Sequence, residues 1–183
     1  MKYNDDLIEY LTEGKLGDFL AKEYSDGVWV HNKQIPGGRF RPDYRNEELK
    51  MVVEYDGLYH YTIAKNVLSD VSKKETCLVM GYKHIVIPYW LQLTQNVIKM
   101  FFNKDTQDYS GGFPLGFISK TVTLPSDFCC FGIDRFIYEM SMLNACDRKG
   151  VIDSLLNKVE EKGDWRLVVP VKEMLTEEIY SRQ

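Results

Sequence analysis

The sequence predicts an α/β fold: a mixed central β-sheet flanked by helices and continued by a mainly helical C-terminal extension. Three observations predict it. The runs GVWV, LKMVVEYDG and KHIVIPYW have the length and β-branched content of strands. The segments around them place apolar residues at helical spacing. Of the 183 residues, 44% are hydrophobic, enough for one core of ordinary size.

The elements follow in chain order. NDDLIEYLTEGKLGDFLAKEYSDG carries Leu7, Ile8, Leu11, Leu16, Phe19 and Leu20 on helical spacing with Gly27 as a stop, so the chain opens as one broken helix or two short ones. Val28, Val30 and Ile35 alternate with polar residues, and a Pro-Gly-Gly turn leads into a short strand at Arg39–Phe40–Arg41. LKMVVEYDG is the most strand-like run. LSDVSKKETCLVMGY is a helix closing on Gly81, and KHIVIPYW is a buried strand ended by Pro88. The order is helix, strand, strand, strand, helix, strand. Beyond it, WLQLTQNVIKMFF is an amphipathic helix, DYSGGFPLGFIS an aromatic loop, and TVTLPSDFCCFGIDRFIYEMSML an extended piece turning helical near Ile133. DRKGVIDSLLNKVEEKG is a helix stopped at Gly163, and the tail holds a last helix. We divide the chain into a core over residues 1–98 and an extension over 99–183 packed on it.

Composition narrows the function. A formal net charge of −4 argues against a protein that coats nucleic acid nonspecifically, since such proteins neutralise many phosphates. Locally, though, His31, Lys33, Arg39, Arg41, Arg45 and Lys50 share one window, and Lys65, Lys73, Lys74 and Lys83 follow an acidic cluster. No run of eighteen apolar residues and no charged-then-apolar leader is present, so neither a membrane partner nor secretion is expected and the cytoplasm is the expected location. Cys77, Cys129, Cys130 and Cys146 form no CxxC pair and read as reduced residues in or near the core.

The segment RFRPDYRNEELKMVVEYDGLYHY, residues 39–61, poses the functional question, because a carboxylate inside a strand as apolar as MVVEY is costly unless something pairs with it. Strand alternation places Val52, Glu54 and Asp56 on one side, with the two carboxylates roughly 7 Å apart. Pro42 favours an extended approach to Asp43, and YRNEEL is short enough for a hairpin connection that brings Asp43 opposite Glu54. Mg²⁺ takes such oxygen ligands together with substrate phosphate oxygens, and a metal so held acidifies bound water.

The series PD at 42–43, EYDG at 54–57, His60, Asp70 with Lys73 and Lys74, then GYKHIVIPY, resembles the PD-(D/E)XK nuclease superfamily, nearest the very-short-patch-repair-like branch of small endonuclease domains. The resemblance covers about residues 14–92 and implies a restriction-endonuclease-like fold and a metal-dependent endonuclease that hydrolyses DNA in restriction, repair or homing, in a bacterial or phage-infected cell. It implies Mg²⁺, with Mn²⁺ as a substitute, held by Asp43 and Glu54 and joined by an early-helix acid, Asp18 before Glu23; Asp56, on the same strand face as Glu54, is a further candidate ligand. The superfamily's usual lysine is replaced by Asp56; Lys73 is the first candidate for its role, ahead of Lys74 and Lys65. His60 is a candidate general base, leaving-group acid or phosphate contact. Arg39, Arg41, Arg45, Lys65, Lys74 and Tyr59 are candidate DNA contacts, Tyr59 as an exposed ring in a turn. A double-strand cut by one site per chain would call for a homodimer.

Other readings stay open at this level. Asp-Gly is a hairpin signal, so Asp56 could serve only a turn; Asp43 could bond its own backbone; Glu54 could pair with Arg39 or Arg41; His60, Lys73 and Lys74 could be structural or solvated. On the same fold, loss of the motif lysine would suit a catalytically inactive nucleic-acid-binding module. An unrelated metal hydrolase is disfavoured by three histidines with no ligand spacing.

Overall fold

The computed structural model describes residues 10–111 and 124–181. Helix α1 (Glu13–Glu23) is started by the Thr12 hydroxyl, which accepts from the Lys15 amide, and it buries Leu16, Phe19 and Leu20 along one face. The earlier part of the expected opening helix, before residue 10, lies outside the described residues.

Strands β1 (Trp29–His31), β2 (Tyr44–Asn46), β3 (Met51–Asp56) and β4 (Lys83–Pro88) form one sheet in that order. The first two pairings are antiparallel and the third is parallel, so the sheet is mixed, as the α/β reading expects. The short strand expected at Arg39–Arg41 is absent. Pro42 has no N–H to give a ladder, and the segment before it is a turn, in which Ile35 and Gly38 bond and Gly37 adopts φ +76. The strand starts after Asp43 instead.

Parallel pairing of β3 with β4 requires a crossover, supplied by one turn of helix, α2 (Tyr59–Thr62), and by α3 (Ala64–Val79). The hairpin reading of Asp56-Gly57 is thereby corrected: Asp56 ends β3 and the chain passes into helix. Gly81, at φ +77, turns the end of α3 into β4.

The faces of the sheet differ. Val53, Ile85 and Ile87 pack with Leu16, Phe19 and Leu20 of α1 and with Val97, Ile98 and Phe102 of α4 (Gln95–Phe102). Val52 packs on the opposite face with Ile35, Cys77 and Tyr82. Strand alternation therefore turns Glu54 and Asp56 toward the α3 side.

The C-terminal portion contributes α5 (Cys130–Met142), α6 (Ala145–Lys162), a 3₁₀ stretch at Trp165–Val171 and α7 (Lys172–Ser181). α5 begins before the expected Ile133; α6 stops at Gly163, φ +63, as expected. The aromatic loop and extended piece expected over 112–123 lie outside the described residues. One apolar cluster runs from Leu11 to Leu175, and the expected boundary at residue 98 falls inside α4. α5 lies close on α2: a Cβ on Gly132 would stand 1.8 Å from the Tyr61 carbonyl oxygen, which also accepts from the Cys129 amide at 3.0 Å. Of the four free cysteines only Cys77 is buried; Cys130 and Cys146, in the first turns of α5 and α6, are exposed, which corrects their expected place near the core. No helix among the described residues is long and apolar enough to cross a membrane.

Candidate active site

Glu54 sits in the interior of β3 at 4% exposure. Lys73, from the middle of α3, donates to its Oε2 at 3.3 Å, and His84 Nε2 lies 3.1 Å from its Oε1. Burial works against the charge of Glu54, but His84 and Lys73 outweigh it and hold the carboxyl below the usual range. Lys73 also lies 3.2 Å from Asp70, and the two carboxylates keep it charged against its own burial. α3 thus sets the lysine beside the carboxylate of β3. The competing ion pairs of Glu54 with Arg39 or Arg41 do not form; both arginines are exposed.

Asp43 lies one residue before β2, where the pairing of Tyr44 with Val53 sets it beside Glu54. Its Oδ2 accepts from the Tyr55 amide at 2.8 Å. Burial pushes Asp43 up to about 6; that one hydrogen bond offsets it only in part, and Glu13, Glu54 and Asp56 push it further. The early-helix acid that acts on Asp43 is Glu13, at the first position of α1, with Oε1 2.6 Å from His31 Nε2. This corrects the expectation of Asp18, which lies exposed further along α1, and of Glu23, which is taken up by Tyr109 and Lys104.

Asp56, 2% exposed, closes β3. Its Oδ2 accepts from Arg135 of α5, which also donates to Asp70 at 2.9 Å and to Glu139 at 2.7 Å and lies over the Tyr61 ring. Burial pushes Asp56 up, while Arg135 and His60 pull it back. His60 Nδ1 stands 2.6 Å from Asp70 Oδ2 and 3.6 Å from Asp56 Oδ1. Burial opposes its protonation, but Asp70 and Asp56 outweigh that and raise its pKa. Asp70 in turn is held low against burial by His60, Lys73 and Arg135. Ligand atoms of Asp56, His60 and Asp70 lie within 4.8 Å of one another, close enough to hold a metal ion. With Asp70 on Nδ1, the imidazole keeps Nε2 for proton transfer.

The candidate DNA contacts divide. Arg39, Arg41, Lys65 and Lys74 are exposed, as is Tyr59 at 65%. Arg45 is withdrawn from that set: it is 6% exposed and paired with Glu47 at 2.7 Å, because β2 is covered on both faces.

Glu13, His84, Arg135 and Glu139 are site residues that sequence reasoning missed. A histidine inside the apolar run KHIVIP was a usable signal for His84. Arg135 and Glu139 had none, since 79 positions separate Arg135 from Asp56 and only the packing of α5 on α2 joins them.

The fold and this cluster define an α/β protein with a buried acid–base site at the C-terminal end of a parallel strand, where ligands bind in open α/β sheets. No protein-family model, no curated protein and no solved structure matches the chain.

Proposed function

We propose that the protein is a metal-dependent endonuclease of restriction-endonuclease-like fold that hydrolyses phosphodiester bonds in DNA. The observation that carries this reading is the electrostatic condition of Asp43: a carboxyl near Glu13, Glu54 and Asp56, with one amide donor and a pKa raised to about 6. A divalent cation is the partner that would relieve it. The group whose ligand atoms already lie together is Asp56, His60 and Asp70, within 4.8 Å of one another; its carboxylate oxygens would suit Mg²⁺ or Mn²⁺, with Asp43 and Glu54 as the further acids proposed for the site. The ion would supply charge for the phosphoryl oxygens and a more acidic bound water.

The chain's own groups have separable parts. Lys73 is placed beside Glu54 to stabilise charge developing on phosphorus or to orient the attacking water. His60, oriented by Asp70, can take or give a proton at Nε2. Arg135 holds Asp56 and Asp70 in place.

A specific observation favours the second reading, an inactive DNA-binding module: Lys73 and Arg135 already compensate Glu54, Asp56 and Asp70 without a metal. Supercoiled, single-stranded and branched DNA, incubated with Mg²⁺, Mn²⁺ or chelator, separate the two. The nuclease reading expects metal-dependent cutting that Glu54→Gln and Asp43→Asn abolish while binding persists. DNA binding with no cutting under any condition leaves the inactive module.

A further inference from the structure

Among the described residues β4 is the last strand of the sheet, and one of its edges carries no strand. Its ladder to β3 runs from Lys83 N–H on Lys50 to Tyr89 N–H on Asp56, so residues 83, 85, 87 and 89 bond β3 and the peptide groups of His84 and Val86 turn outward. A groove of about 490 Å³ follows that edge, within the size range of small-ligand sites. Its walls are Val71 of α3, Met100 and Phe101 of α4, and Tyr138 and Met142 of α5. Four of these five side chains are exposed, Tyr138 at 60%.

Two further properties identify what the groove would take. Lys74 and Lys83 line it, and neither has an acidic partner among the described residues. The groove is also continuous with the acid–base cluster, since Asp70, His84 and Arg135 belong to both. An aromatic and thioether-lined slot with unpaired cations beside a phosphodiester site matches one nucleotide: a flat base against Tyr138 and Met142, with anionic phosphate near Lys74 and Lys83.

We propose that this groove receives a single unpaired nucleotide of the DNA, so that the substrate is DNA with an unstacked base next to the cleaved bond. The inference rests on the nuclease reading for the choice of DNA and for the position of that bond; the binding itself needs no catalysis. Opening a paired base costs unstacking energy that an already unpaired one avoids, which gives the preference its direction.

The test is equilibrium binding in chelator of two otherwise identical duplexes, one fully paired and one carrying a single unpaired 2-aminopurine. Wild type is expected to bind the second about tenfold more tightly, with quenching of the probe, as one stacked base allows. Tyr138→Ala and Met142→Arg should remove the difference; both side chains are exposed, so the variants should melt like the parent. Equal affinities, or a preference that survives Tyr138→Ala, would overturn the proposal. So would a wild-type dimer by light scattering that Tyr138→Ala converts to monomer with no change in preference, since the groove would then belong to a second copy. Cutting of paired duplex without preference removes the groove proposal and keeps the nuclease reading; preference without cutting does the reverse.

Discussion

Lys73 Nζ donates to Glu54 Oε2 at 3.3 Å, bridging 19 positions of sequence, and it reaches Asp70 on its own helix at 3.2 Å. α3 thereby places one ammonium between two carboxylates. Lys73→Ala is expected to lower the metal-supported cleavage rate roughly 10²–10³-fold, the cost typical of removing one preorganised donor, while affinity for DNA in chelator changes only a few-fold. Lys65→Ala, by contrast, should leave the rate intact and lower the salt slope of binding by about 1. Equal rates for Lys73→Ala and wild type would exclude Lys73 from catalysis.

Asp43→Asn separates metal binding from folding. Removing a carboxylate that burial and three acidic neighbours disfavour should raise the melting temperature in chelator at pH 7.5. Wild type should gain stability with Mg²⁺, by about 2.7 kcal/mol at a hundredfold excess over Kd, and the variant should gain little. An equal Mg²⁺ response in both chains would remove Asp43 from the ligand set.

Among the described residues Arg135 is the one cation that Asp56, Asp70 and Glu139 share. Arg135→Met leaves buried Asp56 and partly buried Asp70 and Glu139 without it and should cost about 3–5 kcal/mol, a fall in melting temperature on the order of 10 °C. Arg135→Lys should recover little, because one ammonium cannot reproduce a guanidinium that bonds all three. A melting temperature unchanged in Arg135→Met would show the network to be energetically slack.

Close approach of α5 to α2 makes Gly132 the control point for that network. Gly132→Ala drives a methyl into the Tyr61 carbonyl and should destabilise by about 1–3 kcal/mol, displacing Arg135 as well. Gly14→Ala, at a helical position where a Cβ would meet the Thr12 hydroxyl at an ordinary 3.9 Å, should instead be neutral or stabilise by about 0.4–1 kcal/mol in the same urea titration. Indistinguishable midpoints would deny the close contact.

Away from the site, Tyr82 donates to Glu47 at 2.6 Å and is the main reason that the carboxyl is held down to about 2; burial opposes it, and Arg45 and Lys50 assist. A depressed folded pKa gives stability that is fully present above the unfolded value of 4.5 and is lost as pH falls through about 2. Tyr82→Phe should therefore cost about 1 kcal/mol or less at pH 7, because Glu47 is partly exposed. The difference should shrink between pH 4.5 and pH 2; urea midpoints that differ equally at pH 7 and pH 2.5 would refute the assignment.

Much of the core sheet was legible because its signals are local. Alternation in MVVEYD, the stop at Pro88 and the glycine at 81 each act within a few residues, and β3, α3 and β4 fall where they indicate. Glu54 and Asp56 stood out for the same reason, since a carboxylate in an apolar strand conflicts with its surroundings wherever that strand packs. The misplaced strand at Arg39–Arg41 shows the limit: its residue types suit a strand, but pairing begins only beyond Pro42, where a partner is available.

The sequence by itself determined the alternating strand that carries Glu54 and Asp56, the helix that carries Asp70 and Lys73, and the glycine and proline positions that end them, because propensity and side-chain period depend on near neighbours. Only the tertiary structure decided which charges meet: that Glu13 rather than Asp18 acts on Asp43, that Arg45 is buried, that His84 reaches Glu54, and that α5 brings Arg135 onto Asp56. Electrostatic partnership depends on distances and burial across the core, and those are set by how α1, α3 and α5 pack on the sheet and not by spacing along the chain.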